Sequence, residues 1–239
     1  MKIKLFIPCF VDQLYPEIGI ATYKLLKKLG LDVIYNEEQT CCGQPAYNAG
    51  FLDESASVCK KFMDDFDGED YIVSPSGSCT GFIRSSAPEL LQNGIYDTKV
   101  KRVSKKIYEI SEFLVDILKI NDVGASFYGK ATYHDACGAL RECGIKTAPR
   151  TLLKHVKGLE LLEMKEAETC CGFGGTFAVK YEPISIGMAQ TKINSALAAG
   201  ADYIISTDIS CLMHIDGHIK HSGHKLKTMH IAEILAEGL

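Results

Sequence analysis

Residues 167–175 read "AETCCGFGG", and residues 39–45 read "QTCCGQP". Two adjacent cysteines closed by a glycine thus occur twice, about half a chain apart. Packing explains a single buried cysteine but neither the adjacency nor the recurrence. The accompanying cysteines repeat as well. In the first half Cys9 precedes Cys41-Cys42-Gly43 and Cys79 follows; in the second half Cys137, Cys170-Cys171-Gly172 and Cys211 keep the order, offset by 128, 129, 129 and 132 positions. That is an internal repeat on the scale of a domain.

The segments between these cysteines decide the fold class. "KIKLFIPC" (2–9), "LDVIYN" (31–36) and "DYIVSP" (70–75) read as strands, separated by helical patterns from about 18 to 29 and from 48 to 66. The second half repeats this with strands at "KATYHDA" (130–136), "LELLEM" (159–164) and "DYIISTD" (202–208), and helices at "TAPRTLLKHV" and "ISIGMAQTKINSALAAG". Strands alternating with helices at this spacing imply parallel sheets with crossover helices. The expected fold is α/β, with two tandem similar lobes, mostly parallel sheets and crossover helices. Residues 105–122 read as a linking helix, placing the first lobe at 1–122 and the second at 123–239. Each repeated cysteine falls at a strand end, where an open α/β sheet collects its ligands.

Composition narrows the function. The chain is 46% hydrophobic and 23% charged, an ordinary globular balance. A formal charge of −4 and an isoelectric point near 6.0 give no basic face for nucleic acid. No apolar run approaches the roughly 18–20 residues of a spanning helix, and "MKIKLFIPCF" is too short and too alternating for a signal peptide. The expectation is a cytoplasmic protein without a transmembrane segment. Ten cysteines in a reducing compartment point to metal binding or redox work rather than disulfides.

Four thiols from three loops suit an iron-sulfur cluster or a tetrahedral zinc, and metal-free redox thiols are the third possibility. Adjacent cysteines reach one small ion only if the backbone turns sharply, which Gly43 and Gly172 permit; a multi-iron cluster spreads its ligand positions and accommodates the pair better. Cys59 and Cys143 have no counterpart in the other half and read as buried packing groups. His214, His218, His221 and His224 follow Cys211, but Gly217 and Gly223 interrupt a helix there, and the series reads as a solvated face. His134-Asp135, just before Cys137, could bond a cluster sulfur, relay a proton or satisfy the strand end. "CGFGG" is not a dinucleotide loop, and no G-x-S-x-G occurs.

"CCGQPAYN", "SPSGSCT" and "CCGFGGTF" resemble the cysteine-rich CCG-domain family, and specifically its lactate-utilization branch, over essentially the whole chain. The wider family includes the B subunit of heterodisulfide reductase and the C subunit of anaerobic glycerol-3-phosphate dehydrogenase. The resemblance implies an iron-sulfur electron-transfer component serving oxidation of L-lactate to pyruvate. It implies a cluster of the 4Fe-4S type in each lobe, with zinc as an option in one. It also implies a ferredoxin-like iron-sulfur partner and a third subunit. Cys9, Cys41, Cys42, Cys79, Cys137, Cys170, Cys171 and Cys211 are the implied ligands. The alternatives are an enzyme reducing a disulfide or quinone at vicinal thiols or a cluster, and a zinc-stabilised scaffold. The family motif closes each half with C-x-x-C, where this chain has Ser76 and Asp208 in place of the first cysteine; four thiols per lobe remain, unless Ser76 or Asp208 supplies oxygen. Gly138 stands where relatives often carry histidine.

Overall fold

In a computed structural model of the chain, which describes residues 1–92 and 94–238, the repeat closes into two four-stranded sheets, each wholly parallel. The first holds β1 (Lys2–Leu5), β2 (Asp32–Tyr35), β3 (Tyr71–Ser74) and β4 (Ile107–Glu109) in the order β2-β1-β3-β4. The second holds β5 (Ser126–Tyr133), β6 (Lys157–Leu162), β7 (Tyr203–Ser206) and β8 (Lys227–His230) in the order β6-β5-β7-β8. Leu5 pairs with Tyr35 on one side and Val73 on the other, and Thr132 pairs with Leu162 and Ile204.

Parallel neighbours cannot be joined by hairpins, so helices make every crossing. In chain order these are α1 (Cys9–Leu14), α2 (Pro16–Lys28), α3 (Gln44–Asn48), α4 (Leu52–Phe66), α5 (Gly77–Leu90), α6 (Asp97–Ser104), α7 (Ile110–Glu112), α8 (Thr147–Lys154), α9 (Phe177–Lys180), α10 (Glu182–Ala198), α11 (Ile209–Ser222) and α12 (Ile231–Ala236). Proline opens α2 and lies in the first turn of α10, where its missing N–H is no loss.

Two sequence readings change. The segment 105–122 is not one helix: Ile107–Glu109 is a fourth strand, and only then does α7 begin, continuing as π-helical turns over Phe113–Ile117. Three residues are too few to show a period of two, and the apolar spacing of the following helix absorbed them. Gly217 does not interrupt a helix either, because α11 runs through it to Ser222 and Gly223 supplies the left-handed cap.

Both strand orders reverse direction at their second strand, so the loops after β1 and β3, and after β5 and β7, diverge around a crevice at the carboxyl edge. The two crevices face each other. Ile3, Leu5 and Val73 share one continuous buried cluster with Tyr133, Ile205 and Leu235 of the second lobe. Phe6, Phe62, Phe66 and Ile72 fill a separate cluster behind the first sheet.

The lobes brace each other with approximate two-fold symmetry. Buried Glu109, at the end of β4, accepts from the backbone N–H of Ser111 at 2.8 Å and from the hydroxyl of Thr207 in the second lobe. At the matching end of β8, buried His230 accepts from Ala232 N–H and lies 3.1 Å from the Pro75 carbonyl of the first lobe. Burial pushes the Glu109 pKa up to about 7 against the pull of its donors. A carboxyl whose folded pKa is raised contributes stability that is present below its ordinary value, near 4.5, and lost as pH rises through about 7. Glu109→Gln is expected to flatten this fall, which amounts to about 3 kcal/mol. Urea titrations across that range check it; identical pH slopes for both proteins would refute it.

The closest approach lies between α5 and the π-helical turn Gly138–Glu142. A Cβ on Gly77 would sit 2.4 Å from that of Ala139, and one on Gly138 would sit 2.7 Å from the Ser78 Cα. Gly138 is therefore a packing requirement, and a histidine cannot occupy it with the lobes this close. Gly77→Ala is expected to destabilise the chain by about 3 kcal/mol, as overpacking against backbone does. The urea midpoint should drop accordingly; an unchanged midpoint would show that the lobes separate freely.

Candidate functional site: two thiol sets on one cavity

Each set is assembled from three loops at the carboxyl ends of its strands. Cys9 follows β1, Cys41 and Cys42 follow β2, and Cys79 lies in the first turn of α5 after β3. In the second lobe Cys137 follows β5, Cys170 and Cys171 follow β6, and Cys211 lies in the first turn of α11 after β7. Gly43 and Gly172 adopt φ of 101° and 95°, a left-handed bend that side-chain-bearing residues avoid. There is also no room for a side chain: a Cβ would lie 2.9 Å from the Ser55 carbonyl or 2.7 Å from that of Ser185. The hydroxyls of Ser55 and Ser185 in turn donate to the Gly43 and Gly172 carbonyls. The turn that lets both cysteines of a pair face inward is thus built alike in the two lobes.

The thiols of each set are neighbours. Cys9 Sγ lies 3.7 Å from Cys41 Sγ, and Cys42 feels both Cys41 and Cys79. Cys170 feels Cys137 and Cys171, and Cys171 feels Cys211. S–H donors from Cys42 and Cys9 hold the Cys41 thiol down at about 3; those from Cys137 and Cys171 hold Cys170 at about 2. The donating thiols, Cys9, Cys42, Cys137 and Cys171, are pushed up. Backbone N–H groups of Gly43 and Gly172 point at Cys41 and Cys170, each at 3.4 Å. Each lobe therefore carries one ready thiolate surrounded by three further sulfurs, a soft donor set suited to iron-sulfur or zinc.

All eight cysteines line a single cavity of about 450 Å³ between the lobes. Phe10 and Phe173, one from each lobe, meet edge to face beside it at 5.9 Å. Ser76 and Asp208, the positions where the family motif has cysteine, do not point to separate clusters; they bond to each other. Ser76 Oγ donates to Asp208 Oδ1 at 2.9 Å, while Ser78 donates to the same carboxylate through its hydroxyl at 2.7 Å and its N–H at 2.9 Å. Asp208 thus caps α5 of the opposite lobe. Burial raises its pKa to about 6, and the Ser78 and Ser76 donors offset part of that. Ser76 Oγ also accepts from Cys79 N–H at 3.3 Å, so a short hydrogen-bonded path joins Cys79 to the turn that carries Cys211.

Cys59 and Cys143 stay outside both sets. Cys59 is fully buried on α4 and Cys143 half-buried, and burial pushes both thiols up to about 12. His221 and His224 are exposed, but His214 lies 3.1 Å from Ser185 Oγ and 4.7 Å ring to ring from His218. Asp135 is taken up by a two-pronged bond from Arg150, 2.7 Å on each prong. His134 is different. Its ring is fully buried, neither nitrogen has a partner, and it lies within 4.8 Å of the donor atoms of Cys171 and Cys211. Buried Lys192 stands close by, donating to the Glu166 and Ala167 carbonyls. Nothing in the residues around Lys192 singles it out.

The cysteine-rich CCG domain matches twice, over residues 3–84 and 131–216. Lactate utilization protein A of Geobacillus kaustophilus is 47% identical over 98% of this chain and 98% of its own length; that of Anoxybacillus flavithermus is 46% identical over 98% and 99%. Among solved structures, a hypothetical protein from Helicobacter pylori shares the fold with a TM-score of 0.60 at 13% identity, covering 100% of this chain, which spans about half (49%) of that one. No helix among the described residues is long and apolar enough to cross a membrane. With both halves matched and the likeness extending end to end, the chain belongs to the cysteine-rich CCG-domain family, beside the lactate utilization A proteins.

Proposed function

We propose that the chain is the iron-sulfur electron-transfer component of a system oxidising L-lactate to pyruvate, working with a ferredoxin-like iron-sulfur subunit and a third subunit. The observation that carries this reading is the convergence of eight thiols, four from each lobe, on one cavity. Cys9, Cys41, Cys42 and Cys79 would hold one cluster and Cys137, Cys170, Cys171 and Cys211 the other. The donor chemistry fits: soft sulfur, one ready thiolate per set, and a glycine turn that brings both vicinal thiols to the same side. When bound, such clusters accept and release single electrons at potentials set by their charge and surroundings. The chain's own part is to hold the two sets against one cavity and to tie Cys79 to the Cys211 turn through Ser76 and Asp208. Phe51, Leu52, Tyr181 and Ile184, at the corners that follow the two Cys-Cys-Gly loops, remain exposed, apolar surface of the kind a partner covers. The lactate utilization names of the relatives supply the substrate.

Protein purified without oxygen is expected to contain iron and acid-labile sulfide and to lose its colour in air. Stoichiometric zinc without sulfide would replace this reading with the scaffold one. The cavity itself favours a second reading, in which a disulfide or quinone is reduced between the two sets. Oxidation of the reduced protein by such an acceptor, without partner subunits, would select it.

A further inference from the structure

The two lobes share a scaffold, but their buried residues behind the thiols differ. Phe6 N–H donates to the Val73 carbonyl at 2.9 Å, and His134 N–H to the Ile205 carbonyl at 2.8 Å; Cys9 and Cys137 each follow three residues later. Phe6 and His134 therefore occupy the same place. Ser55 and Ser185 hold the two glycine turns, and seven residues beyond them stand Phe62 and Lys192. In the first lobe Phe6 and Phe62 form an edge-to-face pair at 4.8 Å, a dry apolar contact behind an all-sulfur set. In the second lobe the same two places hold an imidazole and an ammonium.

The ammonium has partners; the imidazole has none. Burying an unpaired ring nitrogen is destabilising, and the first lobe shows that this fold takes an aromatic hydrocarbon there. What compensates the histidine must lie on the side of the thiols, since Cys171 and Cys211 are its donor-atom neighbours. Asp208, which stands where the family motif has a cysteine, is engaged by Ser76 and Ser78 of the other lobe. The second set thus has four sulfurs beside an imidazole whose two nitrogens are both unpartnered. An imidazole this deeply buried and unpaired is held in its neutral form, with a lone pair available, the form that binds metals.

We propose that His134 is a nitrogen ligand of the second lobe's iron-sulfur centre, joining Cys137, Cys170, Cys171 and Cys211, while the first lobe's centre is held by sulfur alone. This rests on the reading that the thiol sets hold clusters. His134 adds to four thiolates rather than replacing one, so the nearby Lys192 charge is what favours the more reduced state of the second centre. The second centre is then the more readily reduced, and electrons run from the first lobe to the second.

The test uses the full chain with Cys42→Ala, which confines the centre to the second lobe, prepared without oxygen and reduced with dithionite. Pulsed paramagnetic resonance is expected to show a strongly coupled nitrogen that changes pattern when the histidines are labelled with ¹⁵N. The coupling should survive His214→Gln and vanish in His134→Phe/Lys192→Phe, which rebuilds the first lobe's pair and should lower the midpoint potential. The labelling needs no substitution at His134, so a variant that fails to load leaves the direct readout in place. A loaded cluster without histidine coupling, or with coupling that persists in the double variant, overturns the proposal alone. A second lobe that binds zinc without sulfide, or no metal, overturns it together with the cluster reading.

Discussion

Cys42→Ala/Cys171→Ala protein, prepared without oxygen, is expected to lose its iron and acid-labile sulfide to background, whereas Cys59→Ala/Cys143→Ala protein keeps both in full. All four cysteines are at least half-buried, so burial alone does not separate them. What separates them is neighbours. Cys42 has Cys41 and Cys79 as interacting neighbours, and Cys171 has Cys170 and Cys211, so each is the sulfur that links its pair to the third loop. Removing it leaves a set with a gap at its most buried point, which the rigid glycine turn cannot close. Cys59 has no thiol neighbour, and its removal deletes one buried sulfur at a cost of about 1 kcal/mol. Cys143 reaches only the Gly77 carbonyl, at the 4.0 Å outer limit for sulfur. Colorimetric iron and sulfide assays on the two double variants decide the matter. Loss of the cluster in the Cys59→Ala/Cys143→Ala protein would mean that the repeat does not mark the ligands.

The framework was legible because it is written twice. Eight cysteines at matched offsets, each at a strand end, announce two α/β lobes with their cysteine loops on the same edge, and both sheets follow that order. The fourth strands were not legible: Ile-Tyr-Glu and Lys-Thr-Met-His are too short to show alternation, and each runs straight into a helix whose pattern dominates. Contacts between the lobes were beyond reach for a different reason. Ser76 and Asp208 each looked like a lost cysteine, but their bond joins residues 132 positions apart, and nothing local to either position signals the other. Gly138 likewise gains its meaning from Ser78 across the interface. His134 could be singled out from its place before Cys137, yet its lack of a partner is a property of its surroundings. Lys192 sits in "QTKINSA", where a lysine reads as surface; only alignment of the two halves, which sets it against Phe62, could have revealed it.

L-lactate added to the pure chain is expected to leave its cluster spectrum unchanged, and reduction is expected only when the partner subunits are supplied. Oxidising lactate to pyruvate removes two electrons and two protons, chemistry ordinarily carried by a flavin, a nicotinamide or a quinone-type cofactor. This sequence holds no dinucleotide fingerprint, and the cavity walls argue the same way. Among the described residues the lining includes Asp208 and eight cysteines but no lysine, arginine or histidine. Neighbouring S–H donors hold the Cys41 and Cys170 thiols well below their ordinary range, so a carboxylate entering this space would meet developing negative charge with no cation among the lining residues to pair it. A neutral acceptor or another protein's cluster faces no such barrier. On the proposed function, lactate would bind on a partner subunit and its electrons would reach this chain from outside. Anaerobic spectra before and after lactate, with and without the partners, provide the measurement. Bleaching by lactate alone at a rate compatible with turnover would place the substrate site in this chain and reverse the assignment.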